Sequence, residues 1–134
     1  LWTVFLDVDW MDYLPAANEE TAVVLQIESP EGLENLDEIA QVEGIDVMFA
    51  GPQDLAASLG HIGQPGHPEV RALLEEFPAR VAAFGKPAGI TDVGIEAAER
   101  WYDCGYRFIN VGNIAQLGSQ GIVAALDHLR TRET

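Results

Sequence analysis

The chain has 134 residues, the length of one ordinary domain. It carries 22 acidic residues against 7 basic ones, so its formal net charge is −15. A field of that sign repels phosphate backbones and anionic lipid surfaces. Hydrophobic residues make up 48% of the chain, which is normal for a globular protein and argues against an acidic disordered segment. We therefore expect a folded protein that binds neither nucleic acid nor a membrane surface.

The first residues of the given sequence do not have the pattern of a signal peptide. Residues 1–6 are apolar but lack a preceding basic region and a small-residue cleavage site, so they do not resemble a signal peptide. The chain starts with Leu1 rather than Met, which leaves open that it was cut or processed upstream. The one cysteine, Cys104, cannot form an internal disulfide and favours a reducing, cytoplasmic location. We expect Cys104 to be a packing residue.

The first half of the chain predicts a helix followed by a strand–helix–strand unit. A helix is expected over residues 13–20, and the β-branched run at 22–28 predicts a strand buried on both faces. Ser29 and the proline after it are typical of a helix start. That helix is expected to end near Gly44, before a second strand over 45–50.

The same alternation continues in the second half. The apolar spacing and the positions of glycine and proline predict, in order, a short helix, a long helix with a kink, a strand, a helix, a strand and a final helix. Their expected places are 55–60, Pro68 to Gly85 with the kink at Pro78, 88–91, 94–104, 106–111 and 121–130. Trp101, Tyr102 and Tyr106 are expected to pack in the core or at an interface.

Four strands that alternate with helices are typical of an α/β fold with a parallel sheet. An open doubly wound sheet and a (β/α) barrel both fit this count. No glycine-rich nucleotide-binding motif follows any of the strands, so a nucleotide fold has no positive support. No linker or low-complexity segment divides the chain, and we expect residues 1–134 to form a single domain.

Two carboxylates mark the ends of neighbouring predicted strands. Alternation along the first strand puts Val24, Gln26 and Glu28 on one face, with Glu28 at the tip, and Asp54 follows the second strand. Active sites of α/β folds lie at this edge of the sheet. Taken singly, Glu28 is most simply a surface acid and Asp54 a helix N-cap. Taken together, with no basic residue nearby in sequence, they predict a site for a hard divalent cation such as Mg²⁺.

The turn before Asp54 predicts an anion-binding site beside the cation site. Gly51 would let backbone N–H groups approach a ligand closely, and a helix that begins beside it favours anions. A small carboxylate with an adjacent carbonyl would suit such a site. His67, by contrast, precedes a proline at a helix start and is expected to cap that helix.

Three segments resemble one known family. They are residues 26–29 (Gln-Ile-Glu-Ser), residues 51–60 (Gly-Pro-Gln-Asp-Leu-Ala-Ala-Ser-Leu-Gly) and residues 66–70 (Gly-His-Pro-Glu-Val). Together they resemble the HpcH/HpaI family of metal-dependent 2-oxo-acid aldolases and lyases, and the likeness runs from about residue 13 to the C-terminus. The resemblance implies the C-terminal half, strands five to eight, of a (β/α)₈ TIM barrel. Residues 1–12 do not match the family pattern.

The resemblance also implies roles for individual residues. Glu28 and Asp54 correspond to the metal carboxylates, with Mg²⁺ expected and Mn²⁺ or Co²⁺ as alternatives, and Gln26 to a substrate-contacting glutamine. The turn formed by Gly51, Pro52 and Gln53, with the backbone N–H groups of Gln53 and Asp54, would hold the carboxylate of a pyruvate-like group. The implied reaction cleaves or forms a carbon–carbon bond of a 4-hydroxy-2-oxo acid through a pyruvate enolate. Its partners would be a small 2-oxo acid, pyruvate or oxaloacetate, and an aldehyde.

Three alternatives stay open at this point. One is a lyase of the citrate or malyl-CoA type, and another is a relative that decarboxylates oxaloacetate. The third is a non-catalytic half-barrel that acts as a structural or regulatory partner. The family's catalytic arginine and histidine would lie in the half that is missing, so no catalytic residue is expected here. We expect a fragment, a truncated product, or a half that forms a homo-oligomer to close a barrel.

Overall fold

A computed structural model describes residues 10–131, so the first nine residues of the divergent N-terminal segment lie outside the described part. The sheet strands are β1 (Val24–Ile27), β2 (Val47–Ala50), β3 (Ala88–Thr91) and β4 (Phe108–Asn110). The helices are α1 (Trp10–Glu20), α2 (Pro30–Glu34), α3 (Leu36–Ala40), α4 (Pro52–Ser58), α5 (Pro68–Ala82), α6 (Ile95–Cys104) and α7 (Ile114–Arg130). Within residues 10–131, no helix has both the length and the hydropathy that a membrane span requires.

The strands form one parallel sheet in the order β1-β2-β3-β4, so each strand lies beside the next one in the chain. A doubly wound sheet would reverse its strand order at one point and carry helices on both faces. Here the buried residues of α2 to α6 form one cluster with side chains from a single face of the sheet, among them Ile27, Met48 and Ile90. The winding is therefore that of a barrel, and the α/β expectation is confirmed.

The opposite face of the sheet is open at both edges. Its side chains include Val24 and Gln26 on β1 and Phe108 on β4; Val24 is 41% exposed and Phe108 is 47% exposed. The prediction that the first strand is buried on both faces was wrong, because every described helix that contributes buried residues lies on the other face. In the centre of the open face Phe49 stays buried, packed edge-on against Phe108 at a centroid distance of 6.1 Å.

Local capping signals predicted several helix ends correctly. The Ser29 hydroxyl accepts a hydrogen bond from the Gly32 N–H at 3.1 Å and caps α2. His67 caps α5, as its Nδ1 accepts from the Glu69 N–H at 3.3 Å. Gly105 ends α6 with φ of +110°, a left-handed conformation that favours glycine. These ends depend on residues close in sequence, which is why the pattern was sufficient.

Other boundaries differ from the prediction. The helix expected to run from Ser29 towards Gly44 is two short helices that meet at Asn35, the C-cap of α2. The final helix begins at Ile114 rather than at residue 121, because Gly118 and Gly121 lie within α7 and do not end it. Pro78 lies inside α5, where its ring is fully buried against Gly105. The buried contact between Pro78 and Gly105 opposes the helix-breaking tendency of that proline.

Tyr106 joins α5 and α6 beneath the sheet. Its ring stacks on Phe77 at 6.2 Å and meets Trp101 edge-on at 5.6 Å, which confirms the expected core packing of Trp101 and Tyr106. Tyr102, expected with them, lies outside the core and is 57% exposed. Its buried hydroxyl donates a hydrogen bond to the backbone carbonyl of Leu74 at 2.7 Å. Burial, helped by the nearby Cys104, raises the pKa of the Tyr106 hydroxyl far above its ordinary value, because the phenolate cannot be solvated there.

We predict that Tyr106→Phe lowers the free energy of unfolding by about 1–2 kcal/mol at neutral pH, since it removes one buried hydrogen bond. Because the folded-state pKa is raised, this stabilisation is present below about pH 10 and is lost as the unfolded chain ionises above it. The difference between the two proteins should therefore shrink at alkaline pH. Urea unfolding at several pH values measures both effects.

The control for this prediction is Tyr102→Phe. Tyr102 is exposed, and its ring lies under the guanidinium of Arg107 at 4.3 Å, a contact that phenylalanine keeps. The change should alter the free energy of unfolding by less than about 0.5 kcal/mol. Equal effects of the two substitutions would contradict a specific role for the buried hydroxyl.

Candidate active site

The predicted site residues lie at the carboxyl edge of the sheet, at the ends of β1 and β2. Glu28 directly follows β1 and Gly51 directly follows β2. The two strands pair in parallel with Ile27 opposite Ala50, and the Gly51 N–H donates to the Ile27 carbonyl at 3.0 Å. This register carries the pairing to the strand ends and brings the two turns side by side.

Gln26 and Glu28 share the open face of β1 and are joined there. The Gln26 Nε2 donates to the Glu28 Oε2 at 2.6 Å, and both side chains are exposed. No described helix covers this face, which is why the Gln26 side chain is exposed rather than buried as on a strand covered on both faces. The hydrogen bond restricts both side chains to one arrangement at the strand tip. The sequence placed these residues on one face but did not predict that they bind each other.

Gly51 leaves the space in which this pair lies. A Cβ atom at position 51 would stand 2.7 Å from the Gln26 Nε2, so that amide would have to move, and 3.0 Å from the Glu28 Cβ, which is a tight contact. The φ of Gly51 is −102°, which other residues adopt, so glycine provides room here rather than backbone freedom. The sequence predicted a close approach of a ligand to Gly51, and the structure shows that the Gln26 and Glu28 side chains lie close to it.

Asp54 lies in the first turn of α4 and is exposed. The alternative that it caps the helix is wrong, because Gly51 is the N-cap and Pro52 is the first helical residue. Gln53 and Asp54 therefore belong to the turn whose N–H groups have no carbonyl one turn earlier to bind. A carboxylate three positions after the cap also interacts favourably with the positive end of the helix.

Ser58 ties the far end of α4 to β1. Its hydroxyl lies 2.9 Å from the Leu55 carbonyl and 3.2 Å from the backbone carbonyl of Glu28. The second contact spans 30 residues of sequence and holds α4 against the strand tip that carries Glu28. Sequence reasoning missed this role, because a serine at a helix end has no pattern that names a distant partner.

The donor set at this edge fits a hard divalent cation. Among the ion pairs formed by described residues, none involves Glu28 or Asp54. The Gln26 amide engages one oxygen of Glu28, and a carboxylate offers acceptor positions beyond that one. Exposed carboxylates with free acceptor positions are the ligands that Mg²⁺ and Mn²⁺ use, usually with several waters.

A cavity of about 470 Å³ adjoins the site at the same edge. Gln53 of α4 lines it, together with Asp92, Arg100 and Trp101 from the end of β3 and from α6. Asp92 accepts from the Trp101 Nε1 at 2.8 Å and from Arg100 at 3.2 Å, which fixes this wall. Asp92 and Arg100 were missed from the sequence, although Asp92, like Asp54, follows a predicted strand.

Comparisons with known proteins identify the family of this chain. The family model described as HpcH/HpaI aldolase/citrate lyase matches residues 9–125. A hydroxypyruvate/pyruvate aldolase of Pseudomonas aeruginosa is 46% identical over 101 residues, covering 75% of this chain and 38% of the relative. A pyruvate aldolase of Rhizobium etli is 47% identical over 116 residues, covering 84% of this chain and 46% of the relative.

A solved structure extends the comparison to the fold. The crystal structure of an HpcH/HpaI aldolase/citrate lyase family protein from Burkholderia cenocepacia superposes with a TM-score of 0.81 at 37% identity, covering 89% of this chain and 46% of that one. The chain thus spans less than half the length of the curated relatives it matches. The half-barrel expected from the motifs is confirmed as part of a TIM-barrel family fold. The chain belongs to the HpcH/HpaI aldolase/citrate lyase family.

Proposed function

We propose that this chain is the metal- and pyruvate-binding C-terminal half of a class II 2-oxo-acid aldolase. The observation that carries the proposal is the Gln26–Glu28 pair at the tip of β1, for which Gly51 leaves room beside the first turn of α4. An exposed carboxylate bound to an amide, next to a helix start, suits a metal ion and a small acid together. Two relatives are named as aldolases of pyruvate or hydroxypyruvate, which supports this substrate class.

Glu28 and Asp54 would hold the divalent ion, with Mg²⁺ expected and Mn²⁺ or Co²⁺ as alternatives. The chemistry that such an ion supplies when bound is polarisation of a 2-oxo group, which lowers the energy of the enolate charge that develops during carbon–carbon cleavage. Gln26 keeps Glu28 oriented through the Nε2–Oε2 hydrogen bond. The N–H groups of Gln53 and Asp54 would receive the substrate carboxylate at the start of α4.

The described residues provide binding rather than a complete reaction centre. The catalytic arginine and histidine that the resemblance implies are expected in the other half of the barrel. Arg100, in the wall of the adjoining cavity, is paired with Asp92 at 3.2 Å. We propose that the 4-hydroxy-2-oxo acid is cleaved, or formed from pyruvate and an aldehyde, only when a second half-barrel faces this one. The cytoplasm, where such small acids circulate, is the proposed location.

The first test is metal binding by the chain itself. We expect Mn²⁺ to bind and oxalate, a planar analogue of the pyruvate enolate, to tighten that binding. Glu28→Gln and Asp54→Asn should each weaken Mn²⁺ binding by at least about tenfold, because each removes one anionic ligand. Electron paramagnetic resonance of free Mn²⁺ measures the affinity without requiring turnover.

Glu96→Gln is the matched control, since Glu96 is an exposed acid in the first turn of α6. It removes the same charge from the same chain and should leave Mn²⁺ affinity nearly unchanged. Equal losses in all three variants would mean that Mn²⁺ responds only to net charge, and the proposed site would be wrong. Pyruvate release from a 4-hydroxy-2-oxo acid, assayed in parallel, distinguishes an active chain from a non-catalytic half-barrel.

The second test concerns the space at position 51. Gly51→Ala should weaken Mn²⁺ binding, because the added Cβ displaces the Gln26 amide and the Glu28 side chain. Gly66→Ala is the control, because a Cβ atom at position 66 would have no neighbour within 4 Å and the φ of Gly66 is not positive. Unchanged Mn²⁺ affinity in Gly51→Ala would contradict the role given to this close approach.

We further propose that a second copy of the chain covers the open face of the sheet. The exposed Val24 and Phe108 at the two edges of that face, and the relatives of about twice the length, support this arrangement. Each copy carries a net charge of −15, so association should strengthen as salt screens the repulsion.

Sedimentation analysis tests this oligomer. We expect a dimer or larger species whose dissociation constant rises in Val24→Lys, since that change puts a charge on the open face. Val42→Lys is the control, because Val42 is 54% exposed and belongs to the turn after α3 rather than to a strand. A monomer at every protein and salt concentration would refute the dimer while leaving the metal-site proposal intact.

A further inference from the structure

A second group of metal-ligating side chains lies outside the proposed aldolase site. His61 and His67 border the loop between α4 and α5, and Glu69 is in the first turn of α5. One ligand atom of each residue lies within 4.8 Å of the others. His61 and His67 are partly buried and Glu69 is exposed. From the sequence, His67 was predicted only to cap a helix, and no role was predicted for His61.

The contacts in this triad are close and specific. The His61 Nε2 lies 2.8 Å from the Glu69 Oε2, and the two imidazole rings stack with their centroids 3.5 Å apart. Two imidazoles and one carboxylate are a donor set that Zn²⁺ commonly takes, with a water in the fourth position. Hard ions such as Mg²⁺ favour oxygen ligands instead, so this triad differs in preference from Glu28 and Asp54.

The backbone holds both histidines in place. The His61 N–H donates to the Ala56 carbonyl at 2.7 Å, which anchors the start of the loop to α4. The Gln64 N–H donates to the His61 carbonyl, and the His67 N–H donates to the Gln64 carbonyl at 3.0 Å. These two consecutive turns return the chain so that His67 faces His61. A bound ion would therefore require little ordering of the loop.

Only short side-chain movements separate this arrangement from a coordinated one. Ligand atoms bound at about 2.0–2.1 Å in a tetrahedron lie roughly 3.4 Å apart, against separations of up to 4.8 Å here. The stacked rings would have to splay so that their nitrogens point to one centre. The His67 Nδ1 accepts a hydrogen bond from the Glu69 N–H at 3.3 Å, so in this arrangement the ring proton of a neutral His67 is on Nε2 and the free lone pair is on Nδ1. A metal ion that binds Nδ1 would use that lone pair, and the hydrogen bond from the Glu69 N–H would be lost.

We propose that His61, His67 and Glu69 bind one divalent ion of the zinc class. The ion connects the loop that follows α4 to the first turn of α5 and stabilises the folded chain by binding it in preference to the unfolded one. The proposal is independent of the aldolase function, because it uses different residues and a different class of metal.

Calorimetric titration of the metal-free chain with Zn²⁺, in the presence of excess Mg²⁺, tests this site. We expect one equivalent of Zn²⁺ to bind, the unfolding temperature to rise, and the amide resonance of Glu69 to shift as its bond to His67 is lost. His61→Phe keeps a ring for stacking but removes the ligand nitrogen, and Glu69→Gln keeps the shape but removes the charge. Each should weaken Zn²⁺ binding by at least about tenfold.

Two control variants make the result decisive. His128→Gln removes an exposed histidine from the last turn of α7, and Glu28→Gln removes a carboxylate of the proposed aldolase site. Both should leave Zn²⁺ affinity unchanged. No Zn²⁺ binding by the native chain, unchanged affinity in His61→Phe and Glu69→Gln, or loss of binding in Glu28→Gln would each overturn the proposal. Mn²⁺ binding at Glu28 and Asp54 would be unaffected by that outcome.

Discussion

The parallel pairing of β1 with β2 is the constraint on which the proposed site depends. Its register sets Gln26 opposite Phe49 and Ile27 opposite Ala50, so Gly51 arrives beside the end of β1. A slip of one residue would turn Glu28 towards the helices and bury its carboxylate in the apolar layer. The Cβ that Gly51 lacks and the Ser58 contact to the Glu28 carbonyl both act at this junction.

One face of the sheet is packed against helices and the other is exposed. One face supplies Ile27, Met48 and Ile90 to a continuous core with α2 to α6, and that core is what makes these four units fold together. The other face carries Gln26 and Glu28 and keeps apolar side chains at its edges exposed. In a complete barrel of this family that face points to the interior. The stabilising core and the proposed chemistry therefore lie on different sides of the same strands.

The sequence predicted what depends on near neighbours and failed where distant contacts decide. The caps at Ser29 and His67 and the end of α6 at Gly105 follow from residues within a few positions, and the structure confirms them. The burial of the first strand was wrong, since an apolar run does not say whether a second layer exists. The pairing of His61 with Glu69 was missed because it depends on the path of the intervening loop.

The strand order has a consequence for where the proposed site lies in the chain. Each strand pairs with its neighbour in the chain, so each pairing joins two consecutive strand–helix units. The residues of the proposed binding edge all fall within the first two strands and the helix that follows them: Gln26, Glu28, Gly51, Asp54 and Ser58. None of them belongs to β3 or β4. The later units are free to vary in sequence and alter the neighbouring cavity without rebuilding the edge that would hold metal and acid.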